Sequence, residues 1–264
     1  MTPHLVIPST TSHKQEPLLP TLEVFAQLGM RELDLNLNHI VDKGTPVEAI
    51  EQALAGHRQR LWIVSGGWCD FFDTGSKARE TRLSVERQVA LTRRFGVDRL
   101  RLFFGRLPYE RVTPQATADA AANIRSLVDA HPDLLFVFEN HDGASSYPQI
   151  CREILETADR PNARLNFDPI NFEAAGVDSL AALDVVAPLV AHVHLKGLDH
   201  QSRFCEFGQG RVDLTPVLRR LVAGGYAGGF SVEYEGPGDR TLRLYQGLRA
   251  AQQTVAAIAA GAAV

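Results

Sequence analysis

Cysteine is scarce: the 264 residues contain three, Cys69, Cys151 and Cys205, at spacings that suit neither a disulfide framework nor a zinc knuckle. A reducing cytoplasm is the expected compartment. No run of about 18 apolar residues occurs, so no membrane-spanning segment is expected. Lysine is rare too, four among 27 basic side chains, and 31 acidic side chains leave a formal net charge of −4. The basic stripe used by nucleic-acid-binding proteins is missing. The first residues, MTPHLVIPSTTSHK, lack the basic and long apolar regions of a signal peptide. Neither nucleic acid nor a membrane is an expected partner. What is present, 45% hydrophobic and 22% charged residues, is ordinary globular composition.

Glycine and proline are scattered rather than pooled, with no linker-like stretch, so one domain spanning residues 1–264 is expected. Short β-favouring runs recur every 30 residues or so. They are HLVIPS (4–9), RELDLNL (31–37), LWIVSG (61–66), RLRLFFG (99–105), LLFVFEN (134–140), RLNFDP (164–169), AHVHLKG (191–197) and GFSVEYEG (229–236). Helical apolar spacing separates them, as at Leu22, Phe25 and Ala26 before Gly29, or Leu214, Val217, Leu218 and Leu221 before Gly224. Eight alternations of strand and helix predict right-handed parallel crossovers closing into a (β/α)₈ TIM barrel.

In such a barrel, alternate side chains point inward, and a polar residue of inward parity near a strand's C-terminal end reaches the mouth. Four consecutive runs finish this way, with Glu139, Asp168, His194 and Glu233. Any one of them is equally well a helix cap or a solvated charge. Together, three carboxylates and an imidazole would repel by several kcal/mol at reduced dielectric unless a cation neutralises them. Such a donor set suits Mn²⁺, Mg²⁺ or Co²⁺, with Zn²⁺ as a further option.

These residues and their surroundings, FENHDG, NFDPINF, HVHLKG, FGQGRVD and SVEYEG, resemble the xylose isomerase-like TIM barrels, the sugar phosphate isomerases and epimerases, over nearly the whole chain. The resemblance implies one divalent metal, commonly Mn²⁺, held by Glu139, Asp168, His194 and Glu233, with the two glutamates flanking the substrate carbon. It also implies a small sugar-like substrate and a homo-oligomer. The chain departs from the epimerase habit in having Asn171 where a histidine often stands, and Gln209 in a turn that often reads Gly-Glu-Gly.

The expected chemistry is isomerisation or epimerisation of a keto or aldo sugar through a metal-stabilised enediolate, with Glu139 and Glu233 as acid and base. His141, two residues after Glu139, resembles the Glu-x-His of 3-dehydroshikimate dehydratases; it is either a proton-transfer group of a lyase or part of an Asn-His-Asp-Gly turn. A noncatalytic sugar-binding or accessory role is a third reading, and an endonuclease-type three-metal site lacks the histidines it would need. His192, deeper in its strand, is read as structural. Lys196 at the rim is either a substrate contact or a solvated lysine, and Asn171 is a further substrate candidate. The long segment GLDHQSRFCEFGQGRVD is expected to be a lid, with His200 and Arg203 as its contacts and Arg211 or Arg240 as anion binders. Trp68 and Phe71 either cover the apolar face of a sugar or pack beneath a loop. Asp34, Asn36, His39 and Arg106 are candidates for hydroxyl contacts.

Overall fold

A computed structural model describes residues 4–262. Eight of its strands lie where the β-favouring runs stand: β1 (Val6–Pro8), β2 (Glu32–Asn36), β3 (Arg60–Ser65), β4 (Arg99–Phe103), β5 (Leu135–Glu139), β6 (Ala163–Phe167), β7 (Val190–Leu195) and β10 (Gly229–Val232). Two short strands, β8 (Gly197–Leu198) and β9 (Phe204–Cys205), pair antiparallel with each other. The eight longer strands form one sheet in the order β1-β10-β7-β6-β5-β4-β3-β2. A parallel bridge from Ser9 to Asp34 joins the two ends of that order. This is the strand order of a (β/α)₈ barrel.

The chain divides into two compact units, residues 1–65 with 193–264, and residues 66–192. In the first, β1 pairs with β10 and β2 with β3. The register of the second pair shifts by one residue between Leu33 and Asp34, passing over Trp62 of β3. Such a bulge re-aims the side chains beside it. The helix Leu18–Gln27 buries Leu18, Leu22 and Phe25, the i, i+4, i+7 stripe expected of a barrel's outer helix.

In the second unit β4, β5 and β6 run parallel in register, Phe103 opposite Glu139 and Glu139 opposite Asn166. Their central apolar residues are buried on both faces, which is why these strands read as nearly continuous hydrophobic runs. Thr113 caps the helix Pro114–Ala130 by accepting the Ala116 amide, with proline at the first helical position. That helix buries Ala120, Ile124, Leu127 and Val128, and each large side chain so covered contributes about 1.5–3 kcal/mol.

Candidate functional site

In residues 66–192, Glu139 ends β5 with its carboxylate buried. Its Oε2 lies 3.1 Å from Arg101 Nε, and its Oε1 accepts from Asn171 Nδ2 at 3.2 Å. Arg101, also buried, sits inside β4 and donates to the Gly66 carbonyl at 3.2 Å, with its guanidinium 4.2 Å from the Phe103 ring centroid. Position 66 tolerates no side chain, because a Cβ there would meet Gln88 Oε1 at 2.3 Å and the Arg101 carbonyl at 2.8 Å. Glycine lets the two backbones approach closely enough for this seat.

Asp168 follows β6 and caps the helix Pro169–Ala174, its Oδ1 accepting the Ile170 and Asn171 amides at 2.9 and 3.0 Å. Capping uses one carboxylate oxygen. Asn140 locks the same residue from its backbone, accepting from Asp168 N and donating to Asp168 O, each at 2.8 Å. Asn171 donates as well to the Asn140 carbonyl at 2.9 Å. Its amide nitrogen therefore serves the protein, holding Glu139 to the Asn140 turn.

His141 stands half-buried beyond Glu139, with Nδ1 3.1 Å from Asp142 Oδ2 and its ring edge-on to Phe103. Asp142 Oδ2 also lies 3.2 Å from Arg106 Nε. The Arg106 guanidinium covers Trp68 at 4.0 Å, and Trp68 stacks on Phe103 with centroids 5.2 Å apart. Trp68 is still 40% exposed, whereas Phe71 is buried against Phe138. Of the two readings offered for this pair, packing beneath a loop describes Phe71, while Trp68 keeps an exposed face.

In residues 1–65 and 193–264, the His194 ring lies between two carboxylates. Its Nδ1 is 3.4 Å from Glu233 Oε1 and its Nε2 is 3.6 Å from Asp34 Oδ2, with all three groups buried. Lys196 is buried beneath Phe204, its Nζ 4.4 Å from that ring's centroid. It lies 3.0 Å from Glu235 Oε2 and 3.9 Å from Glu233 Oε2. Lys14 reaches Glu235 Oε1 at 2.7 Å. Lys196, opposed in part by burial and aided by Lys14, holds the Glu235 carboxyl well below the usual carboxylate range. The reading of Lys196 as solvated is corrected by its burial.

Asn36 and His39 are not free for a ligand. Asn36 donates to Thr11 Oγ1 and accepts the Asn38 amide, and His39 Nε2 contacts the Thr10 carbonyl at 3.2 Å. They anchor the buried turn after β1, where Thr10 Oγ1 takes the Asn36 amide and Ser12 Oγ the Tyr234 amide. The segment after β7 carries the β8–β9 hairpin rather than an open loop. Arg203 sits in its turn, 65% exposed, paired with Asp199 at 2.8 Å and donating to Gln201, and His200 is exposed beside it. Arg240 donates to the Ser12 carbonyl, and the Arg211 amide to the Leu198 carbonyl.

Arg101, Asn140, Lys14 and Glu235 are missing from the expectations. Arg101 carried a readable signal, a charge in the interior of an apolar strand run. The two asparagine locks and the Lys14 pairing depend on partners 28 to 221 positions away and leave no local pattern.

Comparison with known proteins now places the fold. The model of the xylose isomerase-like TIM barrel family matches residues 23–258, and the chain belongs to that family. Among solved structures it is similar to an L-ribulose 3-epimerase, at 15% identity and a TM-score of 0.81, covering 98% of this chain and 97% of that one. It is similar to IolI protein with a bound zinc atom, at 16% identity and a TM-score of 0.79, covering 97% and 98%. It also resembles the probable 3-DHS dehydratase AsbF of Bacillus anthracis, at 14% identity and a TM-score of 0.77, covering 94% and 98%. At these identities the likeness is one of fold. No curated protein matches the sequence. No helix among the described residues is long and apolar enough to cross a membrane.

Proposed function

We propose that the protein is a divalent-metal-dependent isomerase or epimerase of a small keto or aldo sugar, with Glu139, Asp168, His194 and Glu233 holding one ion. The observation that carries the reading is a group of buried ligands. Glu139 and Asp168 are buried carboxylates of one unit, and in the other Glu233 Oε1 faces His194 Nδ1. The donors fit a dication on chemical grounds: three carboxylates are no more than 3% exposed, and the imidazole adds a borderline nitrogen ligand. Mn²⁺ suits this mainly oxygen set best, and the zinc in IolI keeps Zn²⁺, with Mg²⁺ and Co²⁺, among the ions to be tried.

When bound, the cation supplies Lewis acidity that stabilises negative charge developing on the substrate's oxygens. The chain does the rest. Arg101 and Asn171 aim the Glu139 carboxylate. One of Glu139 and Glu233 takes the proton from the carbon beside the substrate carbonyl, and the other returns a proton to the opposite face or to the neighbouring carbon. Trp68 offers an apolar edge to the substrate, and Lys196 stands 3.9 Å from Glu233 Oε2.

His141 favours a second reading, a dehydratase. With Nδ1 directed at Asp142, its Nε2 is left to move a proton, so that the α-hydrogen and a β-hydroxyl leave together as water.

Elemental analysis of the purified protein, followed by NMR in D₂O with ketoses, aldoses, inososes and dehydroshikimate, tests both. The isomerase reading expects one divalent ion per chain, deuterium incorporation and a product of equal mass. A conjugated enone absorbing in the near ultraviolet would replace it with the dehydratase. Metal without any proton exchange would leave a binding protein.

A further inference from the structure

Asp34 stands outside the proposed quartet, yet it is the most completely enclosed carboxylate in residues 1–65, at 0% exposure. The register shift in β2 places it, and the bridge to Ser9 fixes its backbone from the other side. Among the described residues neither of its oxygens accepts a hydrogen bond. A buried carboxylate without a donor is costly, on the order of several kcal/mol. An ionisable donor that it faces is His194 Nε2, 3.6 Å from Oδ2 and a few tenths of an ångström beyond hydrogen-bond length.

The opposite nitrogen of the same ring faces Glu233 Oε1 at 3.4 Å. A neutral imidazole carries one proton, so only one of the two carboxylates receives a hydrogen bond. With the proton on Nδ1, the Nε2 lone pair would confront the lone pairs of Asp34. With the proton on Nε2, Asp34 is satisfied, and the Nδ1 lone pair and the Glu233 oxygen face each other. A cation held between those two atoms would relieve that repulsion.

We propose that Asp34 is a positioning residue for His194. It accepts the Nε2 hydrogen bond, fixes the tautomer, and so leaves Nδ1 as the ligating atom, in the manner of a carboxylate behind a metal-bound histidine. The proposal rests on the metal reading above.

The test uses ¹⁵N-histidine-labelled full-length protein, metal-stripped, with long-range ¹H–¹⁵N correlation near pH 8. The His194 signals are assigned by their loss in His194→Gln. The wild type is expected to show a protonated Nε2 and a bare Nδ1. Asp34→Ala is expected to lose that tautomer and to bind Mn²⁺ 10–100-fold more weakly by titration calorimetry. Asp34→Asn, whose amide oxygen still accepts from Nε2, should keep the tautomer and recover most of the affinity. A protonated Nδ1 in the wild type, or wild-type affinity within about twofold in a folded Asp34→Ala, would overturn the assignment. So would two ions per wild-type chain falling to one in Asp34→Ala, because Asp34 would then be a ligand itself. If Asp34→Ala does not fold, the wild-type tautomer and Asp34→Asn decide. A wild type that accepts no divalent ion ends the metal reading, whereas the ring tautomer still reports separately on Asp34.

Discussion

The two compact units bury carboxylates by different means. In residues 66–192, Glu139 and Asp168 meet neutral donors, the Asn171 amide, the Asn140 lock and the helix amides at Ile170 and Asn171, with Arg101 as a paired cation. In residues 1–65 with 193–264, Glu233 and Glu235 lean on Lys196, Lys14 and the His194 ring. Amide donors set direction with little change in charge, while lysines and imidazole set charge and can trade protons. The first arrangement orients a carboxylate, and the second tunes one. Four measurements would break or sharpen that contrast.

The largest effect is expected at Glu233. Glu233→Gln keeps the shape but removes the base, so kcat should fall by on the order of 10²–10⁴ with the melting temperature nearly unchanged. Turnover near wild type would move the proton-transfer role to the other unit, onto Glu139 alone.

Arg101→Met comes next. The Arg101–Glu139 pair is buried on both sides, and removing one partner of such a pair costs about 3–5 kcal/mol. Lys196→Met should cost less, because Glu235 keeps Lys14 and is itself part exposed. Urea denaturation of both variants checks the order. If Lys196→Met proves the more damaging, the lysine-paired unit is the one that depends on its charges for folding.

That contrast was only half legible in the sequence. The strand runs and their polar ends could be read because barrel strands buried on both faces force long apolar stretches, which makes a terminal Glu139 or His194 stand out. The asparagine locks could not be read, since nothing near Asn140 marks its partner 28 positions on. The enclosure of Asp34, read as a candidate for hydroxyl contacts, was hidden for a related reason: it follows from the β2 register shift and the Ser9 bridge, which leave no local pattern. The lid expectation treated length as openness. The β8–β9 hairpin spends that length on its own hydrogen bonds, and Phe204 closes over Lys196.

A smaller effect separates the units by pH. Burial pushes the His13 and His39 imidazoles down from their ordinary value. The unfolded chain accepts protons near pH 6.5 where the folded form refuses them, so stability is full above that value. It is lost as pH falls toward the lowered folded values, by at most about 1.4 kcal/mol per histidine per pH unit. Both histidines line the turns after β1 and β2. Hydrogen exchange between pH 7 and 5 should therefore show residues 9–13 and 36–41 losing protection before β4, β5 and β6. Earlier loss in the central strands would place the acid-sensitive groups in the other unit.

The smallest effect is expected at Arg203. Its guanidinium is spent on Asp199 and Gln201 within an exposed turn, and such pairs are screened by solvent. Arg203→Ala should leave the melting midpoint, kcat and KM unchanged within error once a substrate is in hand. A selective rise in KM would show that the hairpin turns its arginine toward the substrate during the reaction. The lysine-paired unit would then supply a binding group as well as a base, and Asp199, which accepts the Arg203 amide as well as its side chain, would be the hinge that releases it.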